Sequence, residues 1–121
     1  MVMDKKQIYI VNDDESVCRA LKFLLISFGF EVSTFSSAEK FFSTVQNSIL
    51  GCLILDIHMP GMGGWHVLKR IIESGSEGPV IIITADKTGW LEEDALEAGA
   101  AGFLRKPFKD QALVDLINQV F

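Results

Sequence analysis

Apolar residues fall into two alternating patterns along the chain. Short runs rich in Ile, Val and Leu, at 7–11 (QIYIV), 52–56 (CLILD), 80–84 (VIIIT) and 102–105 (GFLR), and the mixed run 30–35 (FEVSTF), predict strands. Between them lie longer stretches at helical period, with glycine or proline at most of the joins. The first spans 14–28, with Val17, Leu21, Leu24, Leu25 and Phe28 on its inward face and Gly29 ending it. A second opens on the capping box Ser36 to Glu39 and carries Phe41, Phe42 and Val45 inward. Further helices are predicted over 65–74, over 90–100 with a stop at Gly99, and from Asp110 to the C-terminus. Five strands each followed by a helix predict an α/β fold, a doubly wound parallel sheet, because each parallel crossover is right-handed and needs a helix. The runs at 52–56 and 80–84 are apolar without alternation, as central strands covered on both faces must be.

Size and charge narrow the function. A chain of 121 residues has room for one domain, expected to span 1–121. A net charge of −5 argues against direct binding to nucleic acid, which needs a basic face, and favours a protein partner or a divalent cation. The apolar runs ILGCLIL and VIII are far shorter than the roughly 20 residues that span a bilayer, and no basic-then-apolar leader opens the chain. A cytoplasmic protein without membrane contact is therefore expected. Cys18 and Cys52 have no C-x-x-C spacing and are expected to pack as small hydrophobes.

In open α/β sheets, ligands bind beyond the carboxyl ends of the strands. Asn12 and Asp13 follow the first strand, Asp56 ends the third, Thr84 ends the fourth and Lys106 follows the fifth. Two carboxylates, a hydroxyl and an ammonium on one sheet edge suit a hard cation such as Mg²⁺ together with a phosphoryl group. Each has a plainer reading: Asp56 could start a turn, Thr84 could be a β-branched strand residue, and Lys106 a solvated lysine before Pro107, with Lys-Pro as a cis bond fixing a turn. For Asp14 and Glu15 the plainer reading is preferred, since acids in a first helical turn favour its dipole. His58 and His66 lack the companions of a histidine metal site, and Trp65 and Trp90 read as packing residues at helix starts. There is no G-x-x-x-x-G-K-[ST] loop, and GMGGWH lacks dinucleotide spacing.

With these residues in view the sequence resembles the receiver domains of two-component response regulators, most closely those attached to helix-turn-helix outputs. The resemblance rests on IVND, LILDIHMPGMGG, IIITA and GAAGFLRKPF, in order and over nearly the whole chain. It implies the flavodoxin-like (βα)5 fold with strand order 2-1-3-4-5. It further implies Asp56 as phosphoacceptor; Asp13, Asp56 and the backbone carbonyl of His58 as Mg²⁺ ligands; and Asn12 holding the metal through water. Thr84 and Phe103 take the switch positions, Lys106 pairs with the phosphoryl group, and His58 and Asp86 tune its lifetime. The implied partners are a sensor histidine kinase and an output domain or downstream protein. Homodimerisation would run through the face of the fourth helix, fifth strand and fifth helix. Such a domain is a signalling module that assists its own phosphotransfer and dephosphorylation, not a turnover enzyme.

The departure is Asn12, where relatives carry Asp or Glu. Loss of an outer metal contact typically lowers affinity about 10- to 100-fold, which predicts weakened Mg²⁺ binding. The competing reading is a phosphorylation-independent pseudo-receiver, an interaction module whose Asn12 has left the pocket unable to use metal. A haloacid-dehalogenase-like hydrolase would need D-x-D after the first strand, where NDD offers Asn at the nucleophile position.

Overall fold

The computed structural model describes residues 6–45, 51–57, 63–75, 78–85 and 91–121. Five strands, β1 (Gln7–Val11), β2 (Glu31–Phe35), β3 (Cys52–Asp56), β4 (Val80–Thr84) and β5 (Gly102–Arg105), form one parallel sheet in the order β2-β1-β3-β4-β5. They alternate with α1 (Glu15–Ser27), α2 (Ala38–Val45), α3 (Gly64–Glu73), α4 (Leu91–Glu97) and α5 (Asp110–Val120). The predicted doubly wound topology and strand order are both observed.

Period-2 alternation in the strands divides the core in two. Ile8, Ile10, Cys52, Ile54, Ile81 and Ile83 pack with Leu21 and Leu25 of α1 and Leu113, Val114 and Ile117 of α5. Val11, Leu53, Leu55, Val80, Ile82 and Phe103 pack on the other face with Phe41 and Phe42 of α2, Val67, Leu68 and Ile71 of α3, and Ala95 of α4. Both faces of β1, β3 and β4 are thus covered, which is why their sequences show no polar alternation. On the second face Phe41 meets the Tyr9 and Phe35 rings edge-on, at centroid separations of 5.8 and 5.4 Å.

Two sequence expectations shift locally. Phe28, expected inward, caps the C-terminus of α1 and is 48% exposed, while Cys18 takes a core position on that helix. Gly29, at φ +93°, and the buried Phe30 then close a Schellman motif: their amides donate to the carbonyls of Ile26 (2.9 Å) and Leu25 (3.1 Å). The cap of α2 is Ser37, whose Oγ accepts from the Lys40 amide at 3.2 Å, and not Ser36, whose Oγ accepts from Lys40 Nζ at 3.1 Å. Trp90, expected as a packing residue at the start of the fourth helix, lies outside the described residues. Cys18 and Cys52 are both buried free thiols, as packing residues should be. Among the described residues no helix is long and apolar enough to cross a membrane.

Candidate functional site

The strand register builds the site. Val11 pairs with Leu55, Asp56 with Ile83 and Thr84 with Arg105, so the residues that close β1, β3, β4 and β5 fall side by side along the carboxyl edge of the sheet. Asp56, the last residue of β3, follows four fully buried apolar residues. A carboxylate at such a position needs partners, because a buried charge without them is costly. Asn12 Nδ2 donates to its Oδ2 at 3.3 Å, and Lys106 Nζ lies 3.8 Å from the same oxygen.

Lys106 is placed by backbone, its amide donating to the Thr84 carbonyl at 2.8 Å and its peptide bond to Pro107 being cis, as the sequence suggested. Thr84 is fully buried at the end of β4. Phe103 is buried in the core one strand over, with the Arg105 guanidinium 5.0 Å from its ring centroid. Asp13 is exposed beside Asn12. Asp14 is the N-cap of α1, its Oδ1 accepting from the amides of Ser16 (2.9 Å) and Val17 (3.3 Å), the capping role preferred from sequence.

Asn12 is only 1% exposed and uses every polar group it has. Its backbone amide donates to the Phe35 carbonyl (3.0 Å), its carbonyl accepts from Cys18 Sγ (3.3 Å) and its side-chain Oδ1 accepts from the Asp14 amide (2.9 Å). The Cys18 thiol is held above its ordinary pKa by burial first, then by the Asp14 and Glu15 carboxylates, while its bond to Asn12 acts the other way. Burial alone pushes the Cys52 thiol up to about 12.

Sequence reasoning missed Gly64. It opens α3, donates its amide to the Ile57 carbonyl at 3.1 Å, and approaches the Asp56–Ile57 backbone too closely for a side chain. The signal available was the Gly63-Gly64 pair after the third strand. His58 and Asp86, expected to flank the site, lie outside the described residues.

The donors at this edge are hard oxygens. Asp13 lies two residues past the end of β1 and Asp56 ends the neighbouring β3, and Mg²⁺ characteristically takes one or two carboxylates while keeping several waters. The residues present therefore fit such an ion, although among the described residues no group of three or more His, Cys, Asp or Glu is assembled as a metal cage.

A model of the response regulator receiver domain matches residues 8–118. The response regulator protein TodT of Pseudomonas putida is 41% identical over 111 residues, 92% of this chain and 49% of TodT. The transcriptional regulatory protein FixJ of Bradyrhizobium diazoefficiens is 37% identical over 114 residues, 94% of this chain and 56% of FixJ. The crystal structure of FixJ-N superposes with a TM-score of 0.87 at 32% identity, covering 98% of this chain and 94% of that one. The chain thus spans about half the length of the curated relatives it matches. Fold, sheet-edge geometry and sequence agree on one assignment, and the chain belongs to the response regulator receiver domain family.

Proposed function

We propose that this receiver accepts a phosphoryl group on Asp56. A carboxylate oxygen of Asp56 would attack phosphorus on a phosphohistidine of a sensor kinase, forming the acyl phosphate O–P bond as the P–N bond breaks and the imidazole leaves. The observation that carries the reading is the Asp56 carboxylate at the end of a central strand, held between Lys106 Nζ and Asn12 Nδ2. Phosphoryl transfer asks a protein mainly for positioning and charge neutralisation, and these two neighbours supply both kinds of contact. Asp13, Asp56 and the His58 backbone carbonyl would hold Mg²⁺, with Asn12 contacting it through water; the bound ion supplies charge neutralisation of the phosphoryl oxygens.

Lys106 would pair with one phosphoryl oxygen and Thr84 would donate its hydroxyl to another, with Phe103 following as the segment after β4 moves inward. His58 and Asp86 would set the lifetime of the acyl phosphate. The output is a population shift on the face formed by α4, β5 and α5, read by an attached output domain, a downstream protein or a second copy.

The test is intact-mass analysis after incubation with a small acyl phosphate donor and Mg²⁺. One hydroxylamine-sensitive phosphoryl group is expected in the parent and none in Asp56→Asn. Label on another residue, or no label with any donor while partner binding ignores Asp56→Ala, overturns the reading in favour of a phosphorylation-independent interaction module.

A further inference from the structure

The bonding of Asn12 points beyond its place near a cation. The amide bridges two parts of the site that a carboxylate could not bridge unaided: Oδ1 accepts from the Asp14 amide at the entrance to α1, and Nδ2 donates to Asp56 Oδ2 at the end of β3. In an Asn12→Asp chain the first bond survives. The second atom becomes a carboxylate oxygen facing the Asp56 carboxylate at the present 3.3 Å separation. Two like charges at that distance repel, and the nearby ammonium of Lys106 sits 3.8 Å from Asp56 and is partly exposed. A pocket with a carboxylate at position 12 would therefore carry a repulsion that a bound cation relieves; with Asn12 the neutral amide replaces that repulsion by a hydrogen bond.

We infer that Asn12 is a positioning residue that locks the Asp56 carboxylate to the β1–α1 junction without a cation, so that this receiver's site is assembled before metal arrives. This inference rests on the reading of Asp56 as phosphoacceptor only for its functional meaning. The physical claim concerns the metal-free fold. Binding of Mg²⁺ must then displace or share the Asn12–Asp56 bond, so the ion adds little to the stability of the folded chain. In a pocket whose carboxylates repel until neutralised, the ion adds much more, because a ligand stabilises by RT ln(1 + [L]/Kd), which grows as the folded state binds it more tightly.

The test is thermal melting of the whole chain in EDTA and in millimolar Mg²⁺, with Mg²⁺ affinity read independently from tryptophan fluorescence, Trp65 lying in the first turn of α3. For the parent, midpoints in EDTA and Mg²⁺ differ little. Asn12→Asp melts about 5 °C lower than the parent in EDTA, recovers to the parent midpoint or above in Mg²⁺, and binds the ion about 10- to 100-fold more tightly. Asn12→Ala, which loses the bond without adding charge, melts low in both buffers. The swap Asn12→Asp with Asp56→Asn restores an amide facing a carboxylate and returns the EDTA midpoint toward the parent value, which also decides the matter where Asn12→Asp alone does not fold. Equal melting of Asn12→Asp and parent in EDTA overturns the inference. So does equal Mg²⁺ stabilisation of both, or a swap as unstable as the single variant. None of these measurements uses a phosphodonor, so their failure leaves the proposed phosphoacceptor chemistry to its own test.

Discussion

Gly64→Ala tests how α3 is seated against β3, the strand that ends in Asp56. A Cβ at this position would lie 2.5 Å from the Asp56 carbonyl oxygen and closer still to Ile57 Cα, both backbone atoms. Neither can swing aside: Ile57 is 2% exposed and its amide donates to the Ile83 carbonyl at 3.4 Å, so it belongs to the rigid edge of the sheet. Relief requires α3 to retreat by roughly 1 Å, which also breaks the 3.1 Å bond from the Gly64 amide to the Ile57 carbonyl. Overpacking of this kind costs about 1–3 kcal/mol and the lost backbone bond about 1, giving about 2–4 kcal/mol in all. For a domain of this size that lowers the melting midpoint by about 6–20 °C. The control is Gly29→Ala, where φ is +93° and nothing lies within 4 Å, so backbone strain alone acts, at about 1 kcal/mol. Urea and thermal unfolding followed by far-UV circular dichroism rank the two. A Gly64→Ala protein as stable as Gly29→Ala would show that α3 is not held on β3 by this contact. Normal phosphoryl incorporation at Asp56 in a strongly destabilised Gly64→Ala would show that the contact does not position the carboxylate.

Lys106→Ala separates chemistry from stability. The pair with Asp56 is partly exposed on both sides, so its loss should change stability by no more than about 1 kcal/mol, while loss of the charge proposed to pair with the phosphoryl group should slow incorporation about 100-fold; a time course beside a urea melt checks both. Asp14→Ala should cost about 0.5–2 kcal/mol by removing two bonds at the start of α1, with Asp14→Ser recovering most of it in urea melts. Neither thiol should react with a disulfide reagent at pH 8 in the native protein, and both should react in denaturant. Cys52 has its folded pKa raised to about 12 from an ordinary 9.0, so the stability conferred by its protonated thiol is complete below pH 9 and lost as pH rises from there toward 12; Cys52→Ala should flatten that alkaline loss in melts across the range.

The strands were legible because burial on both faces leaves no ambiguity of phase: CLILD and VIIIT read as central strands, and they are. Helix faces were legible in their middles and less so at their ends. Phe28 fits the inward stripe of α1 by spacing, yet the helix ends at Ser27, and from there the Schellman turn brings Phe30 inward in its place. The α2 cap slipped by one residue for a related reason. The sheet still pairs Phe35 with Val11, so the chain needs both serines to leave the strand, and the second stands where the Lys40 amide can be met. In both cases a tertiary constraint outside the local window decides between two locally adequate choices.

At the site, the strand-end rule was enough to collect Asn12, Asp56, Thr84 and Lys106 from positions spread over the whole chain, because parallel strands all deliver their carboxyl ends to one edge. It says which residues meet and nothing about which atoms bond. Counting charges makes Asn12 a deficit of one negative charge beside the proposed cation site. Its bonds make the same residue a donor that satisfies Asp56 and an acceptor that holds the turn into α1. These descriptions predict different things of the metal-free protein: a deficit predicts only a weaker site, whereas a bridging amide predicts a pocket that is folded and ordered before any ion binds. The side-chain geometry favours the second, and it does so through a distinction of one atom, nitrogen for oxygen, that residue spacing cannot express.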